Sequence, residues 1–190
     1  MSDIATYLKN GENFLKYGDS LLYIDETVGN IVSFGDGIWY RTVTIGNQTW
    51  LAENLVMNIP TYSQLVVPED ATNCIGRMYQ EYAVSAINAA VSRYGWKVPS
   101  QDDFRTLCQF VLANGKRMAT ALMAESWGGT DDYGFSIVQS HFIHPTASLE
   151  EANYWTTDEH QRFWVRSGGT YGFEQRDASE WNNIRLILDN

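Results

Sequence analysis

Between Trp39 and Ile45 the side chains alternate at the period of two that a half-buried strand requires. Gly46-Asn47 supplies a turn and Gln48–Leu51 returns, so a β-hairpin is predicted over 39–51. The alternation breaks over 56–75, which reads as an irregular connection. A period near 3.6 follows. Tyr79, Ala83, Ala86, Ile87, Ala90, Val91 and Tyr94 fall on one face of a helix that Gly95 stops. Pro99-Ser100 opens a second helix, with Ser100 as N-cap and Asp103 in the capping-box position. Phe104, Leu107, Cys108, Val111 and Leu112 make its apolar stripe, and Asn114-Gly115 ends it.

After Met123 the pattern turns loop-rich. Residues 127–134 are turn chemistry, Phe135–Val138 reads as a short strand, and 140–153 as irregular. Short strands are expected near Tyr154–Thr156, Phe163–Val165, Tyr171–Phe173 and Ile184–Leu188. The first 37 residues stand apart. Ser2 is a candidate N-cap for a helix carrying Ile4, Tyr7 and Leu8, with Gly11 and Gly18 limiting its length. Ser20–Asp25 and Asn30–Phe34 read as a hairpin, and Gly35-Asp36-Gly37 as a closing turn. A helix and hairpin of this size bury too little to fold alone. The expectation is an α+β chain: an N-terminal attachment or oligomerisation segment over 1–37, and a domain over 38–190 with two helices, short antiparallel strands and long loops.

Composition narrows the function. The chain has 190 residues, a net charge of −10, seven Trp and eleven Tyr. An acidic field repels phosphates, so nucleic acid is not an expected partner. Abundant Trp and Tyr suit both a core and a binding surface. Membrane insertion is not expected, because no run reaches the roughly 18 apolar residues of a spanning helix. The start lacks the basic and apolar regions of a secretory signal. With no such signal, Cys74 and Cys108 are expected as reduced thiols.

Several motifs then add up in order. IGNQTWLAENL at 45–55 resembles "G-x-Q-x-W-M-A-E-N-L", the opening of the Fibrobacter succinogenes major paralogous domain. GRMY at 76–79 resembles its "G-R-L-Y" step, and YGWKVPSQDDF at 94–104 its "S-G-W-H-L-P-S-D-A-E-W". GKRM at 115–118, GTDDYGF at 129–135, YWTT at 154–157 and the closing Ile184-Arg185 follow the same order. The resemblance covers residues 43–188. It implies a C-type-lectin-like fold whose late loops present a variable surface, as on bacterial cell surfaces and in virions of phages. The family often carries a cysteine pair at positions that correspond to Ser92 and Leu186. Its absence is consistent with assembly in a host cytoplasm.

The chemistry expected is binding, not catalysis. There is no Gly-rich phosphate loop, G-x-S-x-G elbow or H-E-x-x-H. His141, His144 and His160 lack a carboxylate partner at metal-ligand spacing. For Ca²⁺, Asp131, Asp132 and Glu180 are weak candidates, and Trp181-Asn182-Asn183 loosely resembles a lectin "W-N-D" with its Asp lost. The candidate ligand surface is Trp127, Tyr133, Asn153, Asp158, Gln161, Arg166, Tyr171, Arg176 and Trp181. Aromatic faces there would stack on sugar rings, and the polar groups would bond hydroxyls. The expected protein is a non-enzymatic phage virion component (fibre, tail or capsid decoration). Residues 1–37 would contact other virion proteins, and the domain would meet a host-surface glycan or a protein. A homo-oligomer, with a trimer favoured, would add avidity. The alternative is a glycan-binding adhesin on a bacterial cell surface.

Overall fold

The computed structural model describes residues 5–9, 12–17, 20–24, 31–66, 76–140 and 151–189. It is a mixed helix and sheet structure with antiparallel strand pairing. A three-stranded sheet joins β1 (Ala5–Lys9), β2 (Glu12–Tyr17) and β3 (Ser20–Ile24). A five-stranded sheet runs in the order β4 (Ile31–Val32), β5 (Tyr40–Ile45), β6 (Gln48–Leu51), β13 (Ile187–Leu188) and β9 (Trp96–Lys97). β7 (Ser63–Val66) pairs with β8 (Gly76–Tyr79). β10 (Glu151–Trp155), β11 (Gln161–Arg166) and β12 (Tyr171–Gln175) form a second three-stranded sheet.

The predicted hairpin forms as β5 and β6, with Val43 opposite Trp50. The second predicted helix is α2 (Gln101–Ala113). Its capping box is complete: Asp103 N donates to Ser100 Oγ at 3.2 Å, and Ser100 N to Asp103 Oδ2 at 2.8 Å. Leu112 does not share the buried stripe, at 49% exposure. It sits one residue past Val111, so the 100° turn per residue carries it away from the core.

The first predicted helix is shorter than its periodicity. α1 spans Ala83–Val91 and buries Ala83, Ile87 and Val91, while Ala86 faces solvent. Tyr79 belongs to β8, and Tyr94 to a 3₁₀ turn that ends at Gly95 with φ +77°. Tyr79 is drawn off the helix by its ladder partners, since its N–H and C=O bond Asn182. A short helix α3 (Met118–Leu122) lies where no element was predicted. Phe135–Val138 forms one bridge, Ile137 to Met123, and no strand.

The N-terminal segment also differs from its prediction. Ala5–Lys9 is a strand, so Tyr7 and Leu8 are not helical; Ser2 and Ile4 lie outside the described residues. The register sets Tyr7 opposite Phe14 and Phe14 opposite Tyr23. Aromatic and β-branched residues favour a pleated surface. Gly11 and Gly18, the expected limits of that helix, lie outside the described residues. β3 pairs with β2, and β4 with β5, so 20–34 is not one hairpin.

Two apolar clusters make the core. In one, α2 and α3 pack on the β10–β12 sheet, and Phe104 stacks on Phe163 with centroids 4.4 Å apart. Burying a side chain like Phe104 stabilises the fold by about 3 kcal/mol. In the other, α1 packs with Leu51, Leu55, Trp96, Trp155 and Leu186, and Phe34 joins them. Cys108 is buried in the first cluster, and loss of water around the thiol pushes its pKa up to about 12. Cys74, His141 and His144 lie outside the described residues. No described helix is long and apolar enough to cross a membrane.

Candidate binding groove

The β10–β12 sheet has two chemically distinct faces, as period-two alternation requires. Ala152, Tyr154, Phe163, Val165, Tyr171 and Phe173 turn toward α2. The opposite face carries three cross-strand rows set by the register: Glu151 with Arg166; Asn153 with Trp164 and Gly172; Trp155 with Arg162 and Glu174. The Trp164 ring occupies the space that a Cβ on Gly172 would need, 2.8 Å away. Arg166 lies 4.7 Å over that ring and donates from Nε to Glu151 at 2.7 Å.

Arg162 organises the face. It is 2% exposed, donates from Nε to Glu174 Oε1 at 2.9 Å, and lies 3.6 Å from Glu151 and 3.7 Å from Glu180. Its Nη1 also donates to Asn182 Oδ1 at 3.3 Å. Removing a guanidinium from water is costly, and several carboxylates around it offset that cost. Burial alone would raise the pKa of Glu174, but hydrogen bonds and charge from Arg162 and Arg176 hold it below the usual carboxylate range.

This network runs outward into a groove of about 600 Å³ lined by Tyr82, His160, Gln175, Arg176, Asp177, Ala178 and Glu180. Arg176 bridges Glu174 at 3.1 Å and Glu180 at 3.9 Å. Its backbone N donates to the His160 carbonyl at 2.8 Å. Glu81 holds the other side, accepting from His160 N at 2.6 Å and lying 2.8 Å from Nδ1. The Asp177 carboxylate accepts from the Ser179 hydroxyl and backbone N–H, which lowers its pKa. Tyr82 stands at the wall with 56% of its surface exposed, and Tyr62, 38% exposed, lies 5.6 Å from it between ring centroids. The groove thus pairs an aromatic face with fixed donors and acceptors.

The structure brings together some of the sequence-predicted site residues and separates others. Arg176 and Glu180 line the groove, and Gln161 sits opposite Gln175 on the neighbouring strand. Asn153 and Arg166 lie farther along the same sheet face, with Asn153 fully buried. Trp181 is half-buried beside Asn182. Trp127, Tyr133 and Tyr171 pack instead against the first apolar cluster. Asp158 accepts from Gln101 N at 2.6 Å, at the N-terminus of α2. Asp131 accepts from Ser136 N at 2.7 Å, and Asp132 pairs with Lys116 at 3.1 Å. The weak Ca²⁺ candidates therefore do not converge, because Glu180 belongs to the arginine network. Among the described residues no three His, Cys, Asp or Glu side chains gather as a metal site.

Tyr82, Tyr62, Gln175 and Asp177 had no place in the predicted surface. One signal was present: Glu174-Gln-Arg-Asp177 is a wholly polar run directly after an aromatic strand. Tyr82, inside the span of the first predicted helix but not on its apolar face, gave none. No protein-family model matches the chain, and no curated protein and no solved structure matches it.

Proposed function

We propose that the chain is a non-enzymatic virion structural protein of a phage, a fibre, tail or capsid-decoration component. Its C-type-lectin-like domain offers the Tyr82–Arg176 groove to a host-surface glycan or to a protein of the particle. The exposed Tyr82–Tyr62 pair beside Arg176 and Glu180 carries this reading. A sugar ring stacks its C–H face on an aromatic ring, while guanidinium, amide and carboxylate groups bond its hydroxyls. Arg176 and Glu180 are preorganised by Arg162 and Glu174, so little side-chain entropy is lost on binding. The ordered motifs from residue 45 to residue 185 support the scaffold part of the proposal. The N-terminal β1–β3 sheet is the segment through which a homo-oligomer, a trimer in this reading, would be mounted.

The test is a glycan array probed with the full chain, with and without Ca²⁺, beside Tyr82→Ala and Arg176→Ala. Binding by the native chain that both substitutions reduce about ten-fold supports the groove, a loss of about 1.4 kcal/mol. Native-level binding by both variants refutes it. Mass spectrometry of purified phage particles tests the virion setting, and light scattering the trimer.

A further inference from the structure

A second cleft, which shares no lining residue with the β12 groove, is lined in part by Arg185. It holds about 400 Å³ and is lined by Ile38, Trp39, Tyr40, Arg41, Ala52, Glu53, Asn54, Val56, Ser136, Val138 and Arg185. That volume lies within the roughly 300–1,000 Å³ of small-molecule sites. Its lining is mixed: the apolar side chains of Ile38, Ala52, Val56 and Val138 stand beside polar and aromatic ones, with Trp39 37% exposed and Arg185 fully buried.

Arg185 is fully buried, yet every contact that holds it is neutral. Nη1 donates to the carbonyl oxygens of Ala52, at 3.2 Å, and of Phe135. Nη2 donates to Asn54 Oδ1 at 2.5 Å. The guanidinium lies 4.6 Å over the Phe135 ring and 5.6 Å over that of Tyr154. Nε–H has no partner among the described residues. A guanidinium presents five N–H donors, and the Nε edge is one side of the fork that a carboxylate fits. The nearby acids are engaged elsewhere. Glu53 accepts from the Arg41 backbone N at 2.9 Å and pairs with its guanidinium, and Asp131 accepts from Ser136. Arg162 makes the contrast, since it is equally buried and has carboxylates of Glu151, Glu174 and Glu180 within 4 Å.

We infer that this cleft binds a small molecule bearing a carboxylate, with the acid group at Arg185 and Asn54 and its body along Ile38, Val56 and Val138 under Trp39. The fold already holds the guanidinium out of water, so an incoming anion meets a desolvated partner whose placement costs nothing further. The apolar side chains of Ile38, Val56 and Val138 and the indole of Trp39 favour a ring or short-chain body over a highly charged one. This inference is independent of the groove reading, since it shares no lining residue with it.

The experiment is a ¹H–¹⁵N NMR titration of the full chain with two acid and neutral pairs: benzoate against benzamide, and glucuronate against glucose. The expected result is that at least one acid shifts the Trp39 indole and Asn54 amide signals and binds about ten-fold more tightly than its neutral partner. A response to benzoate alone identifies an aromatic acid. A response to glucuronate alone identifies an acidic sugar, and a response to both shows that the carboxylate suffices. Arg185→Lys, which keeps the charge and loses the fork, and Trp39→Ala, a change at the rim, should each weaken the acid about five-fold or more. Should Arg185→Lys fail to fold, Trp39→Ala decides the question. The inference is overturned if neither acid moves those signals, if the neutral partners bind as tightly, or if Trp39→Ala leaves acid binding unchanged.

Discussion

Arg162 and Glu174 form a cross-strand ion pair across β11 and β12, with Nε 2.9 Å from Oε1 and the guanidinium almost wholly buried. Arg162→Ala leaves Glu151 buried beside a void, and it should cost about 3–5 kcal/mol in urea unfolding at pH 7. Glu174→Gln should cost less, because Glu151 and Glu180 still face the guanidinium.

The same pair sets a pH dependence. The pKa of Glu174 is lowered in the fold, so its stabilising contribution is fully present above the ordinary carboxylate value of 4.5. It is lost as pH falls through the lower, folded value. Urea midpoints of the native chain should therefore drop below about pH 4.5, and Glu174→Gln should show a shallower drop over that window. Equal slopes for the two proteins would show that this carboxylate is not the group responsible.

The two adjacent glycines at 128 and 129 should respond differently to alanine. Gly128 has φ +83° and open space around a built Cβ, so Gly128→Ala should cost about 1–2 kcal/mol in backbone strain. A Cβ on Gly129 would lie 1.9 Å from the Met123 carbonyl oxygen, which also accepts from Asp131 N. Gly129→Ala must shift backbone, and it should lower the thermal midpoint more than Gly128→Ala does. Paired melting curves compare the two directly.

Local chemistry was the part of this fold most legible in the sequence. Ser100 and Asp103 sit at capping-box spacing and make both capping bonds, because the signal and its cause lie three residues apart. Gly95 and the 46–47 turn are of the same kind. What was missed depends on partners distant in sequence. Tyr79 fits a helical face, but Asn182 and Ser63 hold it in strands. The candidate site was half legible for the same reason. Arg176 and Glu180 lie four residues apart, whereas Tyr82 and His160 reach the groove only through tertiary packing. Trp127 and Tyr171, beside turn glycines, read equally well as surface or core, because periodicity cannot show the first apolar cluster that they pack against. Arg185 is legible only as the end of a motif, since its burial follows from two segments distant in sequence, around 52–54 and Phe135, closing over it.

Cys108 should be unreactive in the folded protein. Its thiol is buried and its pKa is pushed up to about 12, so the thiolate that attacks alkylating agents is scarce near neutral pH. Iodoacetamide at pH 8, followed by peptide mass spectrometry, should leave residue 108 unmodified in the native chain and modify it fully in urea. Native labelling at a rate close to that in urea would mean that α2 opens readily from the β10–β12 sheet.

Asp158 gives the sharpest contrast between a ligand group and a structural one. Its carboxylate accepts from Gln101 N at 2.6 Å, and Ser100 Oγ accepts from Asp103 N at 3.2 Å, so two free donors of the first turn of α2 are satisfied from different directions. A carboxylate there also opposes the positive end of the helix dipole. Ser100→Ala should cost about 1 kcal/mol. Asp158→Asn should cost about 0.3–1 kcal/mol, with a smaller loss at high salt because only the charge term is screened. If Asp158 acts in this way, the substitution moves stability and leaves glycan-array binding at the native level. Lost binding with unchanged stability would return Asp158 to the ligand surface.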